Sequence, residues 1–174
     1  LIPVAIFFII KGTYFFNFFL LICLFVSIYE WYYMSRNKEY KIPGIIFLIL
    51  SFYTAYYLRN EYYGDYLYFV IILFICIFTD IGGYLFGKFF KGPKLTKISP
   101  KKTYAGVIGG YLFSILFMTL FFNYADYISE IINIDITSKE LSLNNFILTI
   151  IISTVSQIGD IVVSYFKRKS KIKD

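Results

Sequence analysis

Long apolar runs separated by short polar connections dominate the sequence and constrain its fold most strongly. A helical membrane span takes about 20 largely apolar residues, and five of the runs approach or reach that length. Because unpaired backbone groups are not tolerated in lipid and the runs lack the alternation of barrel strands, each is predicted to be a helix. The sequence therefore predicts an all-α, polytopic membrane helical bundle with about five full spans and a partial first span. The predicted segments are residues 1–10, 13–34, 43–58, 66–86, 104–124 and 143–163.

Composition excludes several classes of protein and several kinds of catalysis. Hydrophobic residues make up 59% of the 174 residues and charged residues only 16%, which excludes a soluble domain. The two cysteines, Cys23 and Cys76, lie inside apolar runs, so neither a disulfide framework nor a thiolate metal cluster is expected. The chain has no histidine, which removes imidazole catalysis and histidine-bound zinc. Carboxylates, hydroxyls, lysine and arginine are left to carry any chemistry.

The basic residues divide unevenly between the two sides of the predicted bundle. Of the 17 lysines and arginines, all but Lys11, Arg59 and Lys139 fall in one alternating set of connections. Short basic loops stay in the cytoplasm, so the lysine-rich loop 88–102 and the C-terminal segment 167–173 are predicted to be cytoplasmic. The net charge of +6 then belongs to the cytoplasmic face and suits anionic lipid headgroups or a phosphorylated substrate. Nucleic-acid binding is not expected, because no soluble module is present to carry it.

Two acidic residues lie within apolar segments near the predicted cytoplasmic face. They are Asp80, in FTDIGG, and Asp160, in QIGDIVVS. An ionised carboxylate at such a depth is costly unless it binds a metal or pairs with an interfacial lysine, and both alternatives are open. At 100° per residue, Asp160, Ser164 and Lys167 share one face of the last helix. A carboxylate beside cations fits a site where a divalent ion and basic side chains hold phosphate oxygens.

The loop 88–102 combines lysines with a helix-start signal. Ser99 is expected near the N-cap and Pro100 near the first helical position. The helix is then predicted to begin at about residue 101 and to present free backbone amides that bind anions. An ordinary positive-inside signal is the alternative explanation for the lysines.

Glycines cluster on both sides of this loop. The segment GGYLFG contains Gly82, Gly83 and Gly87, but no preceding strand gives it the context of a dinucleotide-binding loop. Gly106 and Gly110 have the small-x-x-x-small spacing of closely packed membrane helices. We therefore expect all of these glycines to serve helix packing.

Two blocks of the sequence together resemble the phosphatidate cytidylyltransferase family of membrane enzymes. Residues 80–110 contain an aspartate, a glycine-rich turn, S-P-K-K-T and G-x-x-G-G. Residues 156–174 are similar to the family element S-x-x-K-R-x-x-x-x-K-D. In the family that element continues into a Gly- and His-containing stretch, a D-R-x-D pair that helps to bind magnesium and a final helix. Since the first apolar run is also short, the chain is expected to be truncated at both ends. The element is matched through Ser164, Lys167, Arg168, Lys173 and Asp174.

The resemblance implies a single membrane-embedded domain over residues 1–174 that transfers a cytidylyl group from CTP to phosphatidic acid. The products would be CDP-diacylglycerol and pyrophosphate, with Mg²⁺ as cofactor, membrane lipids and a second copy of the chain as partners. The site would lie at the cytoplasmic face of the inner cell membrane. The implied catalytic residues are Asp160, as the metal ligand, with Ser164, Lys167 and Arg168. The implied substrate-binding residues are Asp80, Lys101, Lys102, Thr103, Lys173 and Asp174.

Three other functions are left open by the sequence. A transporter could conduct a cation past Asp80 and Asp160. A related CTP-dependent lipid kinase would transfer the γ-phosphoryl group, giving CDP and a phosphorylated lipid in place of pyrophosphate and a CDP-lipid. The chain could also be an inactive fragment or a membrane subunit that needs a separate piece.

Overall fold

The computed structural model describes residues 2–36, 38–60, 66–96, 99, 102–132 and 143–170. Within these ranges every regular element is an α-helix, which confirms the all-α prediction. In chain order the helices are α1 (Ile2–Lys11), α2 (Thr13–Met34), α3 (Lys41–Asn60), α4 (Leu67–Phe90), α5 (Tyr104–Asn123), α6 (Ala125–Ile132) and α7 (Leu143–Lys169).

Five of these helices, α2, α3, α4, α5 and α7, are long and apolar enough to cross a membrane. They correspond to the five predicted full spans, and α1, with 10 residues, corresponds to the partial one. Two helices run further than predicted, because α4 ends at Phe90 and α7 at Lys169. The last turns of both carry lysine or arginine, which interact favourably with the carbonyl end of a helix.

A short helix in the connection after α5 was not predicted. α6 has only 8 residues and mixes acidic with apolar side chains, so it lacks the long apolar run that marks a span. Tyr124 joins it to α5 without a loop: its backbone N–H donates to Leu120 O over 3.1 Å, and its carbonyl accepts from Ile128 N over 2.9 Å.

The chain divides into two compact units. The first contains Leu1–Ile71 and Phe166–Asp174, and the second contains Ile72–Tyr165. The first unit therefore holds α1 to α3 and the last turn of α7, whereas the second holds most of α4, all of α5 and α6, and most of α7.

Trp31 contacts several other segments within the first unit. Its indole Nε1 donates to Lys41 O over 3.0 Å, and its ring packs edge-on against Tyr40 and Phe166, with centroids 5.9 and 5.0 Å away. A β-carbon at Gly44 would overlap the Trp31 ring. Glycine at that position therefore allows α3 to pack directly against the indole of α2.

Arg59, in the last turn of α3, ties together three helices of the first unit. Its guanidinium donates to Ile9 O and Asn60 Oδ1 over 2.9 Å each, and to Thr13 Oγ1 over 3.4 Å. It also lies 5.3 Å from the centroid of the Phe16 ring. The residue is only 8% exposed, and these contacts satisfy two of its three guanidinium nitrogens; among the described residues, the buried Nε has no hydrogen-bond partner.

In the second unit, α4 and α5 approach each other through glycines. A β-carbon at Gly82 would collide with the carbonyl oxygen of Gly109, and one at Gly106 would come within 2.8 Å of Gly83 O. A β-carbon at Gly110 would lie 3.0 Å from Thr79 O. The predicted role in close helix packing is therefore confirmed for Gly82, Gly106 and Gly110.

Hydrogen bonds between hydroxyl groups connect the helices of the same unit. The buried Thr79 Oγ1 lies 2.8 Å from Ile75 O and 3.0 Å from Ser153 Oγ, on α7, and its single proton is shared between these two acceptors. The hydroxyls of Tyr111, on α5, and Thr154, on α7, lie 2.9 Å apart. Hydrogen bonds between membrane helices fix which faces meet, so α7 has a defined register against both α4 and α5.

Candidate active site

The candidate site lies in the second unit, where the loop before α5 meets α7. The ammonium group of Lys102 lies 2.9 Å from Asp160 Oδ2 and also donates to Gln157 O over 2.9 Å. The side chain of Lys102 is 23% exposed and that of Asp160 is 54% exposed. The pair is therefore open to ligands. The Lys102 ammonium group contacts two residues on one turn of α7, Asp160 and Gln157.

Asp80 belongs to the same group of charges. Its carboxylate interacts electrostatically with both Asp160 and Lys102, and its residue is exposed. The residue before it on α4, Thr79, is hydrogen-bonded to Ser153 of α7, and this bond fixes the position of α4 next to Asp80. We call Asp80, Lys102 and Asp160 the charged cluster. It combines two carboxyl groups with one ammonium group.

Gln157 supports the charged cluster and was not predicted. Its backbone carbonyl accepts the hydrogen bond from Lys102, while its side-chain Nε2 lies 3.5 Å from both Val107 O and Ser153 Oγ. The signal in the sequence was an amide residue three positions before an acidic residue in an apolar helix. The sequence does not show which backbone carbonyl accepts such a hydrogen bond, because every residue has a carbonyl.

Cys76 also borders the charged cluster. It lies close to Ser156 on α7 and within the electrostatic range of Asp80 and Asp160. It is half-buried and one turn before Asp80 on α4.

The start of α5 differs from the prediction. The helix begins at Tyr104, not at about residue 101, and Thr103 is its N-cap. The Thr103 hydroxyl accepts a hydrogen bond from Gly106 N over 3.1 Å. The predicted N-cap role of Ser99 is therefore wrong, because a threonine closer to the apolar run satisfies the same free amides.

Ser99 instead belongs to the loop that presents Lys102. It is 8% exposed; its backbone N–H donates to Thr96 Oγ1 over 3.0 Å and its carbonyl accepts from Lys102 N over 3.0 Å. The carbonyl of Lys102 accepts from Leu95 N over 2.8 Å. The backbone on both sides of the Lys102 side chain is thus anchored. Pro100, the predicted first helical residue, lies outside the described residues.

The four predicted catalytic residues lie on one continuous helix, since α7 runs through Lys169. Asp160 and the half-buried Ser164 belong to the second unit, whereas Lys167 and Arg168 belong to the first. Of the predicted substrate-binding residues, Asp80 and Lys102 join Asp160 in the charged cluster and Thr103 caps α5 beside it. The remaining three, Lys101, Lys173 and Asp174, lie outside the described residues.

The donor groups of the charged cluster fit only part of a metal site. Asp80 and Asp160 offer hard carboxylate oxygens from two helices. Among the described residues, no group of three or more His, Cys, Asp or Glu side chains could hold a metal ion. Mg²⁺ commonly binds through one or two carboxylates and completes its shell with water and substrate phosphates. The cluster therefore suits a hard divalent cation shared with a phosphorylated substrate, and does not form a closed protein cage.

The chain is similar to known proteins over most of its length. The model of the Cytidylyltransferase family matches residues 48–174, which include the charged cluster. The phosphatidate cytidylyltransferase of Rickettsia conorii is 34% identical over 154 residues, which cover 83% of this chain and 61% of the relative. That of Rickettsia bellii is 35% identical over 152 residues, with coverages of 83% and 61%. The relative from Aquifex aeolicus is 32% identical over 155 residues, with coverages of 88% and 52%.

The chain thus spans about three-fifths of the length of the two Rickettsia relatives, 61% in each case. No solved structure gave a significant match. The matched region of the family model covers α4, which carries Asp80, α7, which carries Asp160, and the loop before α5, which carries Lys102. The chain belongs to the cytidylyltransferase family.

Proposed function

We propose that this protein transfers a cytidylyl group from CTP to phosphatidic acid, giving CDP-diacylglycerol and pyrophosphate. The observation that carries the proposal is the charged cluster, which lies within the residues that match the cytidylyltransferase family. Relatives with 34% and 32% identity carry the name phosphatidate cytidylyltransferase, which specifies the lipid and the transferred group. A transporter and a lipid kinase have no comparable support.

The main requirement of this reaction is the neutralisation of the negative charge on the phosphates. A phosphate oxygen of phosphatidic acid attacks the α-phosphorus of CTP, and the bond from that phosphorus to the pyrophosphate oxygen breaks. Such a displacement needs alignment and neutralisation of charge more than a covalent nucleophile. The protein offers suitable groups, because Asp80 and Asp160 would hold Mg²⁺ together with phosphate oxygens, and Lys102 stands beside them. The bound Mg²⁺ would supply positive charge to the phosphates.

The helix that carries Asp160 extends the proposed site. Ser164 would hydrogen-bond a phosphate oxygen or a metal-bound water, and Lys167 and Arg168 would bind phosphates. In the same proposal, the substrate-binding residues beyond Asp80 and Lys102 are Thr103, Lys101, Lys173 and Asp174. All of these residues come from the two sequence blocks at 80–110 and 156–174.

The location of the site follows from the charge pattern. The charged cluster lies next to the lysine-rich loop, and short basic loops remain in the cytoplasm. We therefore place the site at the cytoplasmic face of the inner membrane, where CTP arrives from water and phosphatidic acid from the bilayer. The proposal also includes one membrane-embedded domain over residues 1–174 and assembly as a homodimer.

The proposal is tested with radiolabelled CTP and phosphatidic acid, added to membranes that contain the protein. We expect labelled CDP-diacylglycerol and free pyrophosphate, and we expect Asp160→Asn to abolish both. Glu130→Gln is the matched control, because it makes the same carboxylate-to-amide change at an exposed position on α6. Release of CDP with a phosphorylated lipid would instead identify a kinase, and near-normal turnover by Asp160→Asn would contradict its role as a metal ligand.

A further inference from the structure

The charged cluster contains a cation of its own. Lys102 makes two contacts of 2.9 Å, one with Asp160 Oδ2 and one with Gln157 O, and it also interacts electrostatically with Asp80. Its side chain is 23% exposed, so the ammonium group has given up part of its hydration for these contacts. It therefore occupies the same carboxylate that the proposed function assigns to a divalent cation.

The two cations cannot both bind Asp160 at full strength. The ammonium of Lys102 lies at hydrogen-bonding distance from Oδ2, so a metal ion on that carboxylate would be held next to a like charge. The cluster contains two carboxyl groups and one ammonium group. Loss of the Lys102 contact would leave both carboxylates for the metal, and the ammonium would then need a new anionic partner.

We propose that Lys102 is a built-in counter-ion that competes with the divalent cation for Asp160 and moves to the phosphates of the nucleotide when metal and nucleotide bind together. This inference rests on the proposed function, because it takes Asp160 as a metal ligand. It makes the metal site dependent on the nucleotide: the metal alone binds weakly, and the triphosphate removes the competitor. Because such coupling is reciprocal, the metal strengthens nucleotide binding by the same factor.

The structure limits the proposed movement to one side chain. The backbone N–H of Lys102 donates to Ser99 O over 3.0 Å, and its carbonyl accepts from Leu95 N over 2.8 Å. The next residue, Thr103, is fixed as the N-cap of α5. A lysine has a flexible four-carbon stem, so the ammonium group can change partner while the loop stays in place. Lys102 therefore adjusts the metal site through a side-chain movement and binds nucleotide phosphate once it has moved.

The test measures metal binding and does not depend on turnover. The 174-residue chain is purified in detergent and titrated with Mn²⁺ as the probe, with free Mn²⁺ measured by electron paramagnetic resonance. Each titration is repeated with a CTP analogue whose α,β-bridging oxygen is replaced by a methylene group. The variants are Lys102→Met and Lys102→Gln, which remove the charge, Lys102→Arg, which keeps it, and Asp160→Asn. Lys88→Met is the matched control, because Lys88 is an exposed lysine whose ammonium contacts Tyr84.

Without nucleotide, we expect Lys102→Met and Lys102→Gln to bind Mn²⁺ about threefold to fivefold more tightly than the wild type, the size typical of a partly exposed ion pair. The analogue should then improve their Mn²⁺ affinity less than it improves that of the wild type. Lys102→Arg and Lys88→Met should resemble the wild type. Agreement between the Met and Gln variants would show that charge is responsible, since glutamine keeps a hydrogen-bond donor for Gln157 O.

Two results separate this inference from the proposed function. If Asp160→Asn abolishes Mn²⁺ binding while neither neutral Lys102 variant binds more tightly, the competition is refuted and the metal role of Asp160 stands. If Asp160→Asn binds Mn²⁺ like the wild type, the metal role itself is refuted. Thermal unfolding of every variant in the same detergent checks that it is folded, and Lys102→Gln replaces Lys102→Met if the latter does not fold.

Discussion

Lys102 and Asp160 form an ion pair of 2.9 Å between the loop before α5 and helix α7. The sequence left two explanations for the carboxylate at position 160, metal binding and pairing with a lysine. The structure shows the pairing with a lysine. Metal binding stays open as well, because more than half of the Asp160 side chain, 54%, remains exposed. Loss of this pair is expected to affect function more than folding.

The first prediction concerns the stability of this ion pair. Partly exposed pairs contribute only about 0.2–1 kcal/mol to the free energy of unfolding. Lys102→Met should therefore lower the unfolding free energy by no more than about 1 kcal/mol, as measured by denaturation in detergent. A much larger loss would mean that the loop around Lys102 depends on its side chain for folding.

The second prediction concerns the glycine contact between α4 and α5. Gly82→Ala should destabilise the protein by about 1–3 kcal/mol, because the new methyl group would collide with the carbonyl oxygen of Gly109 and with Phe113 Cβ. Gly159→Ala is the control, since a β-carbon there meets nothing within 4 Å. Thermal unfolding should show a clear loss for the first variant and none for the second. Equal stability of the two would contradict the close approach of the helices.

The third prediction concerns the contact between Gly44 and Trp31. Gly44→Ala would place a methyl group inside the indole ring, so Trp31 must move from its position against Phe166. Because Trp31 is the single tryptophan of the chain, its fluorescence emission reports this movement directly. We expect a shifted emission and a lower melting temperature for Gly44→Ala. Combining it with Trp31→Leu should cost less than the sum of the two single changes; an additive result would argue against the contact.

The fourth prediction concerns the buried hydrogen bond between Thr79 and Ser153. Thr79→Val keeps the shape of the side chain and removes the donor to Ser153 Oγ. Hydrogen bonds between membrane helices contribute about 0.6–2 kcal/mol, and we expect a loss of that size in the unfolding free energy. Thr119→Val is the matched control, because that hydroxyl donates to Ile115 O of its own helix over 2.9 Å. A cycle with Ser153→Ala isolates the pair, and a coupling energy near zero would contradict it.

Much of the architecture was predictable because membrane spans are a one-dimensional property. Apolar length alone located α2, α3, α4, α5 and α7, and small-residue spacing identified the glycine contact of α5. The start of α5 was not predictable in the same way, because Ser99 and Thr103 are both good N-cap residues and the loop decides between them. Its internal hydrogen bonds engage Ser99 and leave Thr103 to cap the helix.

The spans, the asymmetry of basic charge and the two acidic residues that a lipid environment makes costly can all be read from the amino-acid order alone. Periodicity could also say which residues share a face of one helix, since that depends on a fixed rotation per residue. The partners of those faces emerge from the three-dimensional fold: Lys102 for Asp160, Ser153 for Thr79 and Phe166 for Trp31. Such pairs join segments far apart in the chain, and side-chain packing between helices, which leaves no periodic trace in either segment, selects them.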